Sequence, residues 1–319
     1  MPPYNMDDLF AKEYSTRLYM LAQQSGNVLR PHITVEPFSG AAEMYFDTLS
    51  PQIPSAVQPS TQLHGDTPIS ENNFGVRKVT PAKWELGHQL DSDRLARMKL
   101  NPTGGIMAND IEDFGRFVDQ QIITAALGVA ITGKDGLGPQ LSLYQESVGI
   151  NGDGTVANIG TLPAVATVTG LTIDKIRLMK YIMDKANAPK QGRKWAVDPA
   201  DIAYLLTTVQ VTNSDYNTVK ALSQGEINTF CGFEFINMNG LPLDAATSTA
   251  TRTFAFVDKG IILSELSPLT TKMAPDPGKK FETIIYSKID LGCVRMEGVM
   301  VHECLTKAGF SSAGAIVSQ

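Results

Sequence analysis

The chain has 319 residues, with 27 basic against 33 acidic, a net charge of -6, 43% hydrophobic and 19% charged residues. The length suits about two domains of roughly 150 residues, and the acidic balance excludes a protein that grips nucleic acid through clustered Lys and Arg. The charged share lies below the roughly 25% of ordinary soluble domains, which points to surface covered by a partner.

Cys231, Cys293 and Cys304 are odd in number and widely spaced. They form no disulfide scaffold and suit a reducing compartment. The most apolar stretch, Ile122 to Ile131, has about half of the roughly 20 residues that a bilayer crossing needs. The opening MPPYNMDDLF carries acid where a secretory signal places Lys or Arg. These features predict a soluble product that is made or assembled inside a cell, without a membrane partner.

Asp7 to Gln24 predicts an amphipathic helix, because Leu9, Phe10, Tyr14, Leu18 and Leu21 recur at helical spacing before Ser25-Gly26. Such a helix either covers its own domain or reaches onto another molecule. Ile33–Pro37, Ala42–Thr48, Gly75–Thr80 and Lys83–Gly87 predict strands. Between the second and third, Ser50 to Asn73 carries Pro51, Pro54, Pro59 and Pro68 among Ser, Thr, Gln and Asn. A compact domain rarely leaves so long a stretch without structure, and an isolated two-stranded ribbon is marginal in water. The excursion therefore predicts a partner surface. Its candidate contacts between subunits are Pro51, Pro54, Pro59, Pro68 and Asn73, together with Leu9, Phe10 and Tyr14 at the terminus.

Arg94 to Leu127, interrupted at Asn101-Pro102-Thr103-Gly104-Gly105, predicts a short helix and then a long one from about Ile106. Ile111, Phe114, Val118, Ile122 and Ala125 form its apolar, core-facing stripe, and Asp110, Asp113, Arg116, Asp119 and Gln120 a solvated side, with Gly128 as C-terminal cap. Val129 to Gly170 holds eight glycines and the dipeptides Asp135-Gly136, Asn151-Gly152 and Asp153-Gly154, and so predicts surface hairpins. From Leu171 the pattern becomes α/β. Thr172 caps a helix from Ile173 to about Ala188, Lys194–Val197 is a strand, and Asp198-Pro199 opens a helix through Leu206. Ile227–Phe230 and Phe233–Asn237 read as strands around Cys231-Gly232, and Asn239-Gly240 as a turn. Thr253–Val257, Gly260–Leu263 and an apolar run from Phe281 to Leu305, interrupted near Gly292 and Gly298, predict further strands. Lys307–Gln319 reads as a disordered tail.

Chemistry is sparse. Gly128–Asp135 approaches a phosphate-binding loop, but Asp135 replaces the Ser or Thr that would hold magnesium, and a helix precedes where a strand is required. His302-Glu303-Cys304 offers three ligand types, yet neighbours in a strand point to opposite faces, which predicts two buried residues and one exposed. Cys231 has no neighbour that would lower its pKa and reads as a small core residue. Asp110, Glu112, Asp113 and Asp119 read as a solvated helix face, and Trp84 and Trp195 as core. No catalytic, metal or cofactor constellation emerges.

The order of elements resembles the major capsid protein of tailed bacteriophages, the Hong Kong 97-type fold, of α+β class. The resemblance rests on Lys83-Trp-Glu-Leu-Gly, Asp91–Met98, Asn101-Pro-Thr and Ile111–Gly128, then on Arg193–Pro199, Leu205-Leu, Ser214-Asp-Tyr-Asn, Gly225-Glu-Ile, Gly232–Asn237 and Gly240-Leu-Pro. Phe254–Ile261, Ile284–Ser287 and Gly292–Arg295 complete it. It implies an N-terminal arm (1–31), an extended β loop (32–92), a spine helix with the β-hairpin region of the peripheral domain (93–170), an axial-type α/β domain (171–252), closing peripheral strands (253–306) and a flexible tail (307–319). It further implies pentamers and hexamers in a closed shell around double-stranded DNA, without sequence-specific binding, enzymatic activity or a cofactor. The α/β unit starts too early for a cleaved internal scaffold, so a separate scaffolding protein is implied, with a portal and a possible decoration protein. Lys78, Lys83, Asn151 and Asn158 give no basis for cross-link pairs, and noncovalent joining in a head assembled in the host bacterial cytoplasm is expected. The alternatives are an encapsulin-like nanocompartment shell, or a metabolic enzyme with a lid at Ser50–Asn73.

Overall fold

Thirteen strands and four α-helices stand among the described residues of the computed structural model, which are 26–37, 39, 42–50, 69, 71–91, 103–133, 135–157, 161–164, 168–207, 229–245, 248–279 and 281–310. In chain order they are β1 (Thr34–Pro37), β2 (Met44–Leu49), β3 (Phe74–Val79), β4 (Ala82–Leu90), α1 (Thr103–Leu127), β5 (Val129–Thr132), β6 (Gln140–Ser142), α2 (Leu143–Glu146), α3 (Ile173–Lys185), β7 (Arg193–Val197) and α4 (Pro199–Thr207). Then follow β8 (Thr229–Phe230), β9 (Phe233–Asn237), β10 (Ala250–Val257), β11 (Ile261–Asp276), β12 (Glu282–Arg295) and β13 (Val301–Lys307). The helix expected at Asp7–Gln24, the tip of the excursion, the short helix after Arg94 and most of the expected tail lie outside the described residues.

The strands form three sheets, ordered β1-β11-β12-β4, β13-β10-β7-β9-β8 and β2-β3-β5-β6. In the five-stranded sheet the period-two pattern divides two cores. Ala196, Ile236, Phe254 and Phe256 face the side where α1 lays Phe114, Val118, Ile122, Ile123 and Ala126. Trp195, Val197, Phe235, Ala255 and Val257 face Ile176, Met179 and Met183 of α3 and Leu205 of α4. Every residue of β7 is buried, as a strand covered on both faces requires. A third cluster joins Phe46, Val79 and Ala130 to Ile262 and Val294, so the sheet of β2 and β3 packs against the roots of β11 and β12.

Local chemistry sets the helix ends. Thr172 accepts a hydrogen bond from the Lys175 N–H at 3.3 Å. The Ala188 N–H donates to the Met183 carbonyl at 3.0 Å beyond Asn187, whose φ of 57° is left-handed, so α3 closes in a Schellman turn rather than running on to Ala188. At α4, Asp198 accepts from the Ala200 N–H and Asp201 reaches back to the Asp198 N–H, both at 3.2 Å. Cys231 and Gly232, with φ of 53° and 88°, make the tight turn between β8 and β9.

Three expectations are corrected. Helix α1 begins at Thr103, so Gly104 and Gly105 belong to it. Gly292 does not interrupt β12. A Cβ there would meet Val79 Cγ1 at 2.6 Å and Pro81 Cα at 3.2 Å, and glycine is what lets the β3–β4 turn lie against the strand. Strand β11 runs on past Leu263 to Asp276, 16 residues in all, with register shifts between Glu265 and Thr270 that accommodate Pro268.

The stripe of α1 also departs from expectation. Phe114, Val118 and Ile122 are buried, whereas Ile111 is 51% exposed. The covered line passes through Asp110, four residues before Phe114, and leaves Ile111 on the flank. Asp110 and Asp119, expected in solvent, are buried because each finds partners. Asp110 accepts from Ser287 Oγ at 3.3 Å and lies 2.9 Å from His88 Nε2. Asp119 accepts from the Val28 and Leu29 N–H groups at 2.8 and 2.9 Å, although burial pushes its pKa up.

Phe114→Asp puts an unpaired charge into the core at a cost of several kcal/mol. We expect it to leave the chain insoluble or unfolded, and a wild-type melting profile would contradict that. Asp201 is fully buried; its Oδ2 accepts from Thr306 Oγ1 at 3.1 Å, while Oδ1 has no partner, and burial pushes its pKa up to about 7. The folded state therefore holds a proton that the unfolded chain gives up near pH 4. This contribution is fully present below that pH and lost as pH rises towards 7. Asp201→Asn should flatten the fall in melting temperature of unassembled subunits between pH 5 and 8, by on the order of 5 °C; parallel pH curves for the two proteins would refute the assignment.

Candidate assembly surfaces

The excursion is rooted in β2 and β3, which pair antiparallel from Met44↔Val79 to Leu49↔Phe74. Beyond that pair the Ser50 N–H donates to the Asn73 carbonyl at 3.0 Å, so Asn73 marks the mouth of the excursion and is exposed. Leu49 and Phe74, directly opposite one another, are 58% and 68% exposed. Cross-strand apolar pairs stabilise a sheet when a third surface covers them, and within this chain's described residues that surface is missing. Nearby, Lys78 pairs with Glu43 at 2.5 Å and Tyr45 donates to Glu43 at 2.6 Å, which lowers the pKa of Glu43 and raises that of Lys78. The remaining candidates, Leu9, Phe10, Tyr14, Pro51, Pro54, Pro59 and Pro68, lie outside the described residues.

A second protruding element, not foreseen as a hairpin, is β11–β12. Past Thr270↔Lys288 it continues to Asp276↔Glu282 and presents Met273, Ala274 and Pro275 to solvent. Phe281, with a φ of 59°, turns the chain there and is itself exposed. Strand β4 supports the hairpin from Thr283 to Leu291 and is an edge strand of that sheet. On its outer face Lys83 pairs with Glu85, Tyr286 donates to Glu85 at 2.6 Å, and Lys83 lies 5.8 Å from the Tyr286 ring centroid. Hydrogen bonding to Glu85 raises the pKa of Lys83. The signal for this hairpin was the β-branched and apolar run Leu269–Met273, masked by Pro268.

The chemistry-bearing residues take structural places. Gly128–Asp135 forms β5 and the turn after it, with Gly133 and Gly136 at positive φ. That is a hairpin rather than a strand-to-helix phosphate loop. His302, Glu303 and Cys304 are all buried, which corrects the expectation of one exposed residue. The loop before Ile150 covers the edge of β13, and Ile150 bridges Cys304. His302 Nδ1 and Nε2 lie 3.0 and 2.9 Å from the Val148 and Val299 carbonyls, and burial lowers its pKa. Glu303 pairs with Arg252 at 2.5 Å, and burial pushes the Cys304 thiol up to about 12. Burial likewise raises Cys231. Trp195 is core, donating to Thr253 Oγ1 at 3.2 Å, whereas Trp84 is 39% exposed and leans on Phe117 with centroids 4.7 Å apart.

A cleft of about 510 Å³ is lined by Val28, Asp113, Arg116, Phe117, Gln120 and the Asn237–Gly240 turn. Asp113 is paired with Arg116 in it. Among the described residues no group of three or more His, Cys, Asp or Glu side chains is placed to hold a metal ion, and no helix is long and apolar enough to cross a membrane. Asn151 is occupied within its own loop, accepting from the Ala164 N–H and donating to Thr155 Oγ1, both at 2.7 Å.

The architecture recurs in solved shells. The cyanophage P-SCSP1u capsid matches with a TM-score of 0.69 at 20% identity, covering 97% of this chain and 96% of that one. The capsid of cyanophage Pam1 matches with a TM-score of 0.69 at 14% identity, covering 97% and 99%. The capsid of Ralstonia phage GP4 matches with a TM-score of 0.67 at 12% identity, covering 94% and 95%. No curated protein sequence matches this chain. The family profile described as phage capsid protein covers residues 6–305. With exposed apolar ribbons, a coupled spine helix and that coverage, the chain belongs to the phage capsid protein family and is a major capsid protein of Hong Kong 97-like fold, a subunit of an icosahedral head.

Proposed function

We propose that copies of this chain join noncovalently, as pentamers and hexamers, into the head of a tailed phage. The observation that carries the contact mode is the Leu49–Phe74 pair, exposed at the mouth of the excursion. Residues 51–72 extend that ribbon over a neighbouring subunit, whose surface supplies the cover that the pair lacks. The N-terminal arm, with Leu9, Phe10 and Tyr14, contributes a second contact. The boundaries at 32, 93, 171, 253 and 307 divide arm, loop, spine, axial unit, closing strands and tail in this reading, although β10 of the closing segment hydrogen-bonds β7 of the axial one.

The shell encloses double-stranded DNA, and a net charge of -6 suits a container that must not hold its cargo tightly. A separate scaffolding protein and a portal are its partners, and assembly takes place in the host bacterial cytoplasm. The chain acts by packing rather than by catalysis. The phage family match favours this reading over a cellular nanocompartment.

The register defines the test. Replacing residues 51–72 by Asn-Gly leaves a two-residue loop between Ser50 and Asn73, the length that a tight hairpin favours. We expect a soluble subunit with an unchanged melting temperature that forms no salt-resistant shells in electron micrographs; normal shell yield would refute the bridging role. Wild-type heads boiled in detergent should migrate as single subunits. A ladder of multiples would overturn noncovalent joining.

A further inference from the structure

The chain contains two Asn-Gly dipeptides, Asn151-Gly152 and Asn239-Gly240, and the fold treats them oppositely. The glycine carries no Cβ, so in this dipeptide the asparagine side chain reaches the following main-chain nitrogen with the least hindrance. Whether the two groups meet depends on what else holds them.

Asn151 and Gly152 are fully engaged. The Asn151 carboxamide accepts from the Ala164 N–H and donates to Thr155 Oγ1, both at 2.7 Å, and the Asn151 N–H donates to the Thr155 carbonyl at 2.8 Å. The Gly152 N–H, the group that would react, donates to the Ala164 carbonyl at 2.9 Å, and Gly152 is buried. The other dipeptide stands free. Asn239 and Gly240 are exposed on the bend that follows β9, where they line the cleft beside α1. Among the described residues neither the Asn239 carboxamide nor the Gly240 N–H has a hydrogen-bond partner. Gly240 has a φ of 92°, and a Cβ there would meet nothing within 4 Å.

We propose that Asn239 is a site of spontaneous chemical modification, closing onto Gly240 and opening to aspartate or isoaspartate. The Gly240 nitrogen forms a bond to Asn239 Cγ, the Cγ–Nδ2 bond breaks, and the proton of that nitrogen leaves with the amide as ammonia. Water then opens the cyclic imide at either carbonyl. The sum is amide plus water to carboxylic acid plus ammonia, with nothing oxidised or reduced. The flanks give the reaction a structural consequence. Met238 and Leu241 are buried in the core that α1 shares, the Met238 N–H donates to the Val197 carbonyl at 3.0 Å, and the Pro242 carbonyl accepts from the Arg252 N–H at 2.9 Å. Isoaspartate adds one carbon to a main chain pinned at both ends. Either product puts a new carboxylate into the cleft that holds the Asp113–Arg116 pair. This inference concerns the folded subunit and stands whether or not the shell reading holds.

Peptide mapping of full-length subunits, incubated at mildly alkaline pH, tests it. The one-dalton mass gain is expected at Asn239 roughly tenfold or more faster than at Asn151, the factor that one or two hydrogen bonds represent. In concentrated urea, where neither turn persists, the two rates should converge, and Asn239→Gln should abolish the gain in its peptide. Equal rates in the folded protein, a difference that survives in urea, or a gain that persists in the same peptide of Asn239→Gln would each overturn the proposal.

Discussion

The guanidinium of Arg295 ties three separate parts of the chain into one subunit. It is fully buried, and all five of its N–H donors are used. Nη1 donates to the Ala126 and Gly128 carbonyls at 3.0 and 2.8 Å, Nη2 to the Leu141 carbonyl at 3.0 Å and to Glu146 Oε2 at 3.1 Å, and Nε to the same carboxylate oxygen at 3.3 Å. One side chain of β12 thereby satisfies the last carbonyls of α1, where a cation is also favoured by the helix dipole. It also fixes the β6–α2 segment. Arg77 of β3 pairs with the other oxygen of Glu146 and donates to the Met296 carbonyl at 2.8 Å. Two cations share one anion, so loss of Glu146 would leave both buried guanidiniums uncompensated, at a cost of several kcal/mol.

From that anchor the spine helix acts as a wall common to several parts of the fold. Its apolar row faces β11, β12 and the five-stranded sheet. Asp110 holds β4 and β12, while Glu112 and Asp119 hold the incoming N-terminal segment. The elements that leave this wall, the β2–β3 ribbon and the far end of β11–β12, carry their apolar residues outwards. A subunit built in this way has a firm centre and unsatisfied limbs. In the proposed assembly, the limbs gain their cover from copies of the same chain.

Much of this was legible in the sequence where local rules govern. Thr172 and Asp198-Pro199 announced α3 and α4, Cys231-Gly232 the turn between β8 and β9, and the row Phe114, Val118, Ile122 the spine helix. Elsewhere the decisive partners are remote in sequence. Asp110 and Asp119 look like solvated carboxylates until Ser287, some 177 residues away, and the backbone of Val28 and Leu29 arrive to satisfy them. Ile111 fits the apolar row by type, yet the covered line falls through Asp110. Pro268 stands inside β11, and register shifts against β12 absorb it.

By itself, then, the amino-acid order determined the helices and tight turns and the surplus of apolar and polar-tipped material, since these depend on neighbours three or four residues apart or on composition. Tertiary structure alone decided which charges are buried, how far the long strands run and where the terminal segment meets the spine. Those outcomes depend on partners that only folding brings within hydrogen-bonding distance.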